Sequence, residues 1–529
     1  MTTPSIRSAE VAVGASAIYE LKRRDLVDTS DLPHPPFRVP FLGDVLGLNP
    51  RTPFQSALPQ TRKLGPISAR KMLGTEIVAV SGLDLVAEVH DETRFGKHVG
   101  HHLTPLREVI GDALITVETD NPNWKLAHAI LKPAFSREAM QGYHSIMLEA
   151  IGELLDHWDG AAAGGRPVDV TADTTRLALE SIGRAGFGYS FGSFDRRRPH
   201  PFISAMNRML KYASWSTFPL LTRLLRPAIR RSGAMMGRIV DDVIQARGDG
   251  AGSETQDLLD LMLNSAHPVT GRSLDPVNIR QQVITFIVAG HETTSGALSF
   301  ALYHLTQNPE VLARAKAEVD ALWGTSDNPK PAYGDVAKLR YVRAVLDEAL
   351  RLWPTAPGYL RVARKDTVLG GRYRIKRGQW VLVVLPLVQR DPRVWPDPER
   401  FDPDRFAPGQ MKSRAHAYKP FGTGQRACIG RQFALHESVL TLALVLHRYD
   451  LTAENDYQLK ISESITLKPR GFRLGLSKRA ASSRLADVDT ELTRLSAQGS
   501  KGHLYAGLRY QPVQRSYAKW DTSVQPARL

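Results

Sequence analysis

A single cysteine, Cys428, occurs in 529 residues. One thiol excludes an intrachain disulfide, so the fold needs no oxidising compartment. It also excludes zinc ribbons and iron–sulfur centres, which require several thiolates. No apolar run approaches the roughly 20 residues of a membrane-spanning helix. Residues 1–20 lack the basic start and long apolar core of a signal peptide. These absences read as a soluble, cytoplasmic protein without a transmembrane segment. There is no zinc finger, RNP motif or Lys-rich arm, which argues against nucleic acid as a partner. No G-x-G-x-x-G follows a strand pattern, so no dinucleotide fold is expected, and no internal repeat is present.

The bulk composition is that of a globular chain with a core, 42% hydrophobic and 23% charged. The length allows one large catalytic domain or two to four ordinary ones. The balance is basic, 69 Lys+Arg against 54 Asp+Glu, or +15. Such a surface aids solubility and suits an acidic electron-transfer partner.

The one thiol stands in Lys419-Pro-Phe-Gly-Thr-Gly-Gln-Arg-Ala-Cys-Ile-Gly430. Gly422 and Gly424 let the backbone turn where a side chain would clash. From Arg431 the chain carries good helix formers with apolar residues at helical spacing. Cys428 is therefore expected at or just before a helix N-terminus, where free N–H groups and the helix dipole favour thiolate over thiol. A thiolate on a glycine-rich loop suits a soft metal such as haem iron. Alone, the cysteine is equally compatible with a buried free thiol ahead of a core helix.

Other stretches depart from plain scaffold. Trp124 and His128 lie one helical turn apart on one face. Asn278 to Gln307 reads as a long helix whose middle is Ala289-Gly-His-Glu-Thr-Thr-Ser295. Adjacent threonines and a glycine are poor helix formers, and a Thr hydroxyl can bond back to the preceding turn. A disfavoured choice at mid-helix is compatible with a tolerated kink or with a functional site. Tyr341 to Trp353 reads as a helix with Glu348 and Arg351 one turn apart, a spacing that on a surface gives a weak solvated pair. Phe401-Asp-Pro-Asp-Arg405-Phe406 follows. Ser214 to Arg231 is basic, apolar and interrupted by Pro219 and Pro227. It reads as the stem of a hydrophobic lid, with a membrane-touching amphipathic segment as the other reading. Glu76 to Val80 reads as a strand, and Thr367 to Leu385 and Ile461 to Leu476 as hairpins.

In this order, these residues resemble the cytochrome P-450 superfamily from about Phe37 to Leu476. The likeness is strongest to the haem domain of bacterial fatty-acid-hydroxylating P-450 enzymes fused to a flavin reductase. It rests on Phe421-Gly-x-Gly-x-Arg426-x-Cys428-x-Gly430, Ala289-Gly-His-Glu-Thr-Thr-Ser-Gly296, Glu348-Ala-Leu-Arg-Leu-Trp-Pro-Thr-Ala-Pro357, Trp124-Lys-x-Ala-His128 and Phe433-Ala-Leu-His-Glu437. The resemblance implies a mainly α cytochrome P-450 fold, with a large helical part and a smaller β-rich part. It implies haem b with Cys428 as metal ligand, in a loop completed by Gly422, Gly430 and a potential-tuning Phe421. Arg426, Trp124 and His128 are implied to meet the haem propionates. Thr293 and Glu292 are implied as the alcohol and acid that deliver protons, with Ala289 and Gly290 leaving room for dioxygen. Glu348, Arg351 and Arg405 are implied as a buried structural triad. Ile115, Ala289 and Ile465 are the substrate-pocket candidates. The implied reaction inserts one oxygen atom from dioxygen into a lipophilic substrate. The domains then read as a leader over 1–36, a haem domain over 37–476, and a weakly structured basic tail over 477–529 with a short helix near Arg484 to Leu495.

Two departures qualify the resemblance. No reductase follows, so electrons are expected from an external ferredoxin or flavodoxin with its reductase, steered to Lys412, Arg414, Lys419, Arg426 and Arg431. The fatty-acid enzymes hold the carboxylate with an arginine and a tyrosine where this chain has Thr75 and Ala79; Arg70 and Lys71 are nearby but not equivalent. Their large phenylalanine over the haem is Ile115 here. A fatty acid and a neutral terpenoid or polyketide both stand as substrate classes. Peroxide-driven relatives carry Arg-Pro in place of Glu292-Thr293. A haem-binding sensor would not need that pair, and a cysteine hydrolase would need a histidine base beside Cys428 and no haem.

Overall fold

The computed structural model describes residues 26–497 except 41, 46, 50, 73, 197, 215–218, 249–256, 413 and 455. Most of the leader and the tail beyond 497 lie outside the described residues. The helices are α1 (Pro53–Leu64), α2 (Leu83–Val89), α3 (Gly100–Ile110), α4 (Pro122–Leu131), α5 (Arg137–Ala163), α6 (Val170–Phe187), α7 (Pro201–Ser214), α8 (Pro219–Gly248), α9 (Leu258–Asn264), α10 (Pro276–Gln307), α11 (Pro309–Trp323), α12 (Arg340–Leu352), α13 (Leu385–Val388), α14 (Arg431–Arg448) and α15 (Ala481–Ala497). The strands are β1 (Ile67–Met72), β2 (Thr75–Val80), β3 (Phe95–His98), β4 (Val168–Asp169), β5 (Gly358–Ala363), β6 (Thr367–Leu369), β7 (Tyr373–Ile375), β8 (Trp380–Val384), β9 (Tyr449–Ala453), β10 (Ile461–Glu463), β11 (Leu467–Pro469) and β12 (Arg473–Lys478).

The longest helix, α10, organises the molecule. Asp275 caps its N-terminus by accepting the Asn278 N–H, and Pro276 occupies a first-turn position that needs no donor. A helix apolar on all sides belongs in a core. From Gln282 to Leu302 every residue of α10 is buried except Ala289, Gly290, Glu292 and Thr293. Helix α6 packs along it: a methyl at Gly290 would stand 3.3 Å from Ile182, so this glycine serves close helix approach as well as any opening.

A second, smaller core surrounds a five-stranded sheet ordered β1-β2-β8-β5-β3, where only β2 and β8 run parallel. Ile67, Val78, Phe95, Val381 and Val383 fill it. The expected hairpin over 367–385 is therefore split. β6 and β7 pair with each other, whereas β8 joins the large sheet.

Two stretches differ from expectation. Pro219 opens α8, where its missing N–H is harmless, and the helix runs on through Pro227 rather than stopping there. The tail is ordered over 477–497, and the short helix expected near Arg484 to Leu495 is part of α15. Strand β12 runs to Lys478, and α15 then packs on α11. The fully buried Arg479 donates to Asp320 at 2.6 Å and to Asp487 at 2.7 Å. Arg484 bonds the carbonyls of Thr325 and His447. Charge, not an apolar stripe, seats α15, and composition alone does not reveal that.

Candidate active site

The cysteine loop is held in shape by its own backbone. The Cys428 N–H donates to the Phe421 carbonyl at 2.8 Å. Gly422 and Gly424 take φ of 68° and 67°, where L side chains are strained. A side chain at Gly424 would also strike the Glu92 carboxylate, which accepts from the Gln425 N–H. Gly430 has ordinary angles, and its N–H lies on the side of the Cys428 sulfur that favours the thiolate.

Cys428 presents an exposed surface, yet it sits deep enough that burial pushes its thiol pKa up. The Gly430 N–H and the Arg431 charge oppose that push without reversing it. Both observations hold for a sulfur that faces a space enclosed by protein. The helix N-terminus therefore does not by itself produce a thiolate; a metal ion that displaces the proton would.

A cationic group adjoins the loop. The Arg426 guanidinium lies 4.5 Å over the Trp124 ring, and its Nη2 donates to the carbonyls of Leu114 and Val117 at 2.6 and 3.1 Å. Its Nη1 is buried without a partner. His128 stacks on Trp124 at 4.7 Å. Lys97 of β3 donates to the Ile115 carbonyl at 2.7 Å. Burial lowers the pKa of Arg426 to about 9 and that of Lys97 well below its ordinary value, the neighbouring Arg426 adding to the latter. Burial and nearby Lys132 and Arg426 also lower His128. Arg361 of β5 is buried, donates to the Phe95 carbonyl at 2.9 Å and leaves Nε unpartnered. Arg361 and Lys97 share a cavity of about 350 Å³. Glu118 and Glu92 offset part of this charge from a distance, but the hydrogen bonds of these three cations go to carbonyls, an unfavourable arrangement without a directly bonded anion. Two carboxylates on one ligand edge would satisfy them, which is what a haem with its propionates brings. The residues present fit that group.

Sequence reading missed Lys97, Arg361 and one more cation. On α10, Thr293 Oγ1 donates to the Ala289 carbonyl at 2.8 Å, the back-bond expected of a mid-helix threonine. Glu292 turns to the β10–β11 hairpin, where Lys468 Nζ lies 2.8 Å from Oε1 and Thr466 Oγ1 donates to Oε2 at 2.9 Å. Ile465 is thereby brought beside α10, whereas Ile115 sits by the cationic group. Glu292, Thr466 and Lys468 line a cavity of about 600 Å³ among α6, α7 and the hairpin. Burial alone would raise the Glu292 carboxyl, but Lys468 and His291 outweigh it and hold the group well below the usual carboxylate range.

A depressed folded pKa adds stability above the unfolded pKa of about 4.3, and this is lost as pH falls through the folded value. In Lys468→Met only His291 is left to oppose burial, and the Glu292 pKa should rise above its unfolded value. Stability should fall by about 3 kcal/mol at neutral pH. Its local pH slope should invert, the variant gaining stability as pH drops from 7 toward 5. Urea melts across that range check this; parallel curves for the two proteins would refute it.

Glu348, Arg351 and Arg405 lie together in the structure. Arg351 donates to Glu348 at 2.6 and 2.8 Å, and both are fully buried. The remaining Arg351 donors reach the carbonyls of Gln389, Pro398 and Arg400. Arg405 Nε lies 3.4 Å from Glu348, and its Nη2 donates to the Asp397 carbonyl. The expected docking cations divide: Lys412 and Arg431 are exposed, Arg414 donates to the Arg405 carbonyl, and Lys419 and Arg426 turn inward.

Residues 33–476 match the family model for cytochrome P450. The chain belongs to the cytochrome P450 family. It is 43% identical over 85% of its length to a bifunctional cytochrome P450/NADPH–P450 reductase of Bacillus cereus, covering 42% of that protein. It is 46% identical over 79% of its length to a second such protein of Bacillus subtilis, covering 40%. A self-sufficient cytochrome P450 monooxygenase of Phanerodontia chrysosporium is 35% identical over 84% of this chain, which covers 42% of it. The chain thus spans about two fifths of the length of these relatives. The cytochrome P450 cofactor is haem b. Cys428 would ligate its iron, and Arg426, Lys97, Trp124, His128 and Arg361 would meet its carboxylates. No helix among the described residues is long and apolar enough to cross a membrane.

Proposed function

We propose that this chain is a haem-thiolate monooxygenase domain that hydroxylates a long-chain carboxylic acid, with electrons delivered by a docked ferredoxin or flavodoxin. Haem bound through Cys428 supplies the activation of dioxygen and insertion of one of its atoms into a C–H bond. The residues of this chain bind, orient and move protons. Thr293, with a hydroxyl already bonded to Ala289, holds a hydrogen bond at the one opening of α10. Glu292 stands between that opening and the 600 Å³ cavity and passes protons inward when its pair with Lys468 loosens. Exposed Lys412 and Arg431 offer positive charge to an acidic donor protein.

The observation that carries the oxygenase reading is the window of Ala289, Gly290, Glu292 and Thr293 in the otherwise buried stretch Gln282–Leu302 of α10. A sensor or a hydrolase has no use for it. The carboxylic acid rests on Arg70. Ala79 is buried among Val384 and Leu387 and cannot meet a carboxylate. On the β1–β2 ladder, however, Ser68 pairs with Ala79, Arg70 with Ile77 and Met72 with Thr75. Alternate residues and cross-strand partners share a face, so Arg70 lies between Thr75 and Ala79 on their own side. Among the described residues its Nη2 donates to the neutral Gln60 and Thr61 and its Nη1 has no hydrogen-bond partner; burial lowers its pKa against the opposing charge of nearby Asp44. A ligand carboxylate would complete it.

Spectral titration with tetradecanoic acid and its methyl ester, followed by product analysis with a supplied donor system, tests both parts. Arg70→Gln should weaken the acid at least tenfold and leave the ester unchanged. Equal binding of acid and ester by wild type would favour a neutral lipophile, the reading that Thr75 and Ala79 support. Binding without oxygenated product would overturn the oxygenase reading.

A further inference from the structure

One surface plays no part in this chemistry. Helix α8 exposes Arg223, Leu224, Arg226, Pro227, Arg230, Arg231, Ala234 and Arg238. At 100° per residue these positions fall on one side of the helix, spread over less than half its circumference. The opposite side carries the buried Ile229, Ser232, Met236 and Val240. Among the described residues, one of the five arginines has an acidic partner: Arg226 bonds Glu108 of α3 at 2.9 Å. Arg223, Arg230, Arg231 and Arg238 have no carboxylate within ion-pair distance. The stripe also holds Leu224, 71% exposed and among the few large apolar side chains left in solvent. In sequence the stripe is preceded by Trp215, Phe218, Leu220 and Leu221.

We propose that this face of α8 docks on an anionic lipid bilayer, with the arginines on the headgroups and Leu224 in the acyl boundary. Charge complementarity selects the occupant. Five guanidinium groups along about 22 Å of helix (15 residues at 1.5 Å each) match a plane of phosphates, and the bulky apolar residue among them has no role against a purely polar polyanion. A helix face of basic residues around an exposed Leu makes an interfacial helix that lies on a membrane without crossing it. Such docking would bring a lipophilic substrate to the protein from the phase where it is concentrated. The lidlike role expected of this stretch then extends to a surface role.

Flotation of the full haem-loaded chain with vesicles of phosphatidylcholine alone, or with 30% phosphatidylglycerol, tests this. Binding should be at least tenfold stronger to the anionic vesicles and lost in 0.5 M salt. The combined Arg223→Gln, Arg230→Gln, Arg231→Gln and Arg238→Gln variant should lose at least tenfold, since each charge near an anionic surface is worth roughly a fivefold change. Leu224→Ser should weaken binding without changing its salt dependence. Unchanged thermal melts would show that these exposed substitutions leave the fold intact. No binding to anionic vesicles, or equal binding by the combined variant, would overturn the proposal. So would tighter binding to a short duplex DNA that is indifferent to Leu224→Ser.

Discussion

Replacing Cys428 by serine is expected to abolish the strongly red-shifted Soret band of the reduced, carbon-monoxide-bound protein. It should also lower oxygenation at least a hundredfold, on the order of 3 kcal/mol in barrier. A hydroxyl is a far weaker acid than a thiol, and in this site burial already pushes even the thiol toward its neutral form. The thiolate's electron donation, which favours O–O cleavage, would be lost with it. The loop should survive, because the bond from the residue 428 N–H to Phe421 and the left-handed glycines do not involve the sulfur. Haem should therefore still bind through the cations around Arg426, but with an altered spectrum. A serine variant that kept both the band and the turnover would exclude Cys428 as ligand.

The second large effect concerns a helix that the family match does not reach. A chain ended at Leu476, where the match stops, should be less stable by about 3–5 kcal/mol, the usual result of leaving one member of a buried ion pair alone. The group affected is Asp320, buried on α11, which would lose the Arg479 guanidinium and keep only the His447 ring. Ending the chain there also removes Arg479 from the Leu446 carbonyl and Arg484 from those of Thr325 and His447. Urea unfolding of the haem-loaded protein measures the loss. Arg479→Met in the full chain should reproduce most of it, which separates the ion pair from mere helix burial. Equal midpoints for the full and shortened chains would show that α15 contributes nothing.

Local spacing made the cysteine loop, the disfavoured middle of α10 and the Glu348–Arg351 pair readable, because each motif lies within one loop or one helical turn. Where those side chains point was less readable. Arg426 and Lys419 look like surface charge beside the cysteine, yet both turn inward. Ser214 to Arg231 seemed broken by its prolines, but tertiary packing carries α8 across Pro227.

By itself the sequence determined the cofactor loop, the oxygen-side helix and the largely helical class, since all three depend on residues close together in the chain. Tertiary structure alone decided the charge balance of the site. Lys468 reaches Glu292 across 176 residues, Lys97 and Arg361 meet Arg426 from separate strands, and α15 is held by a buried Arg479. Pairings of that kind are set by which elements the two cores bring into contact, and no periodicity in the chain encodes them.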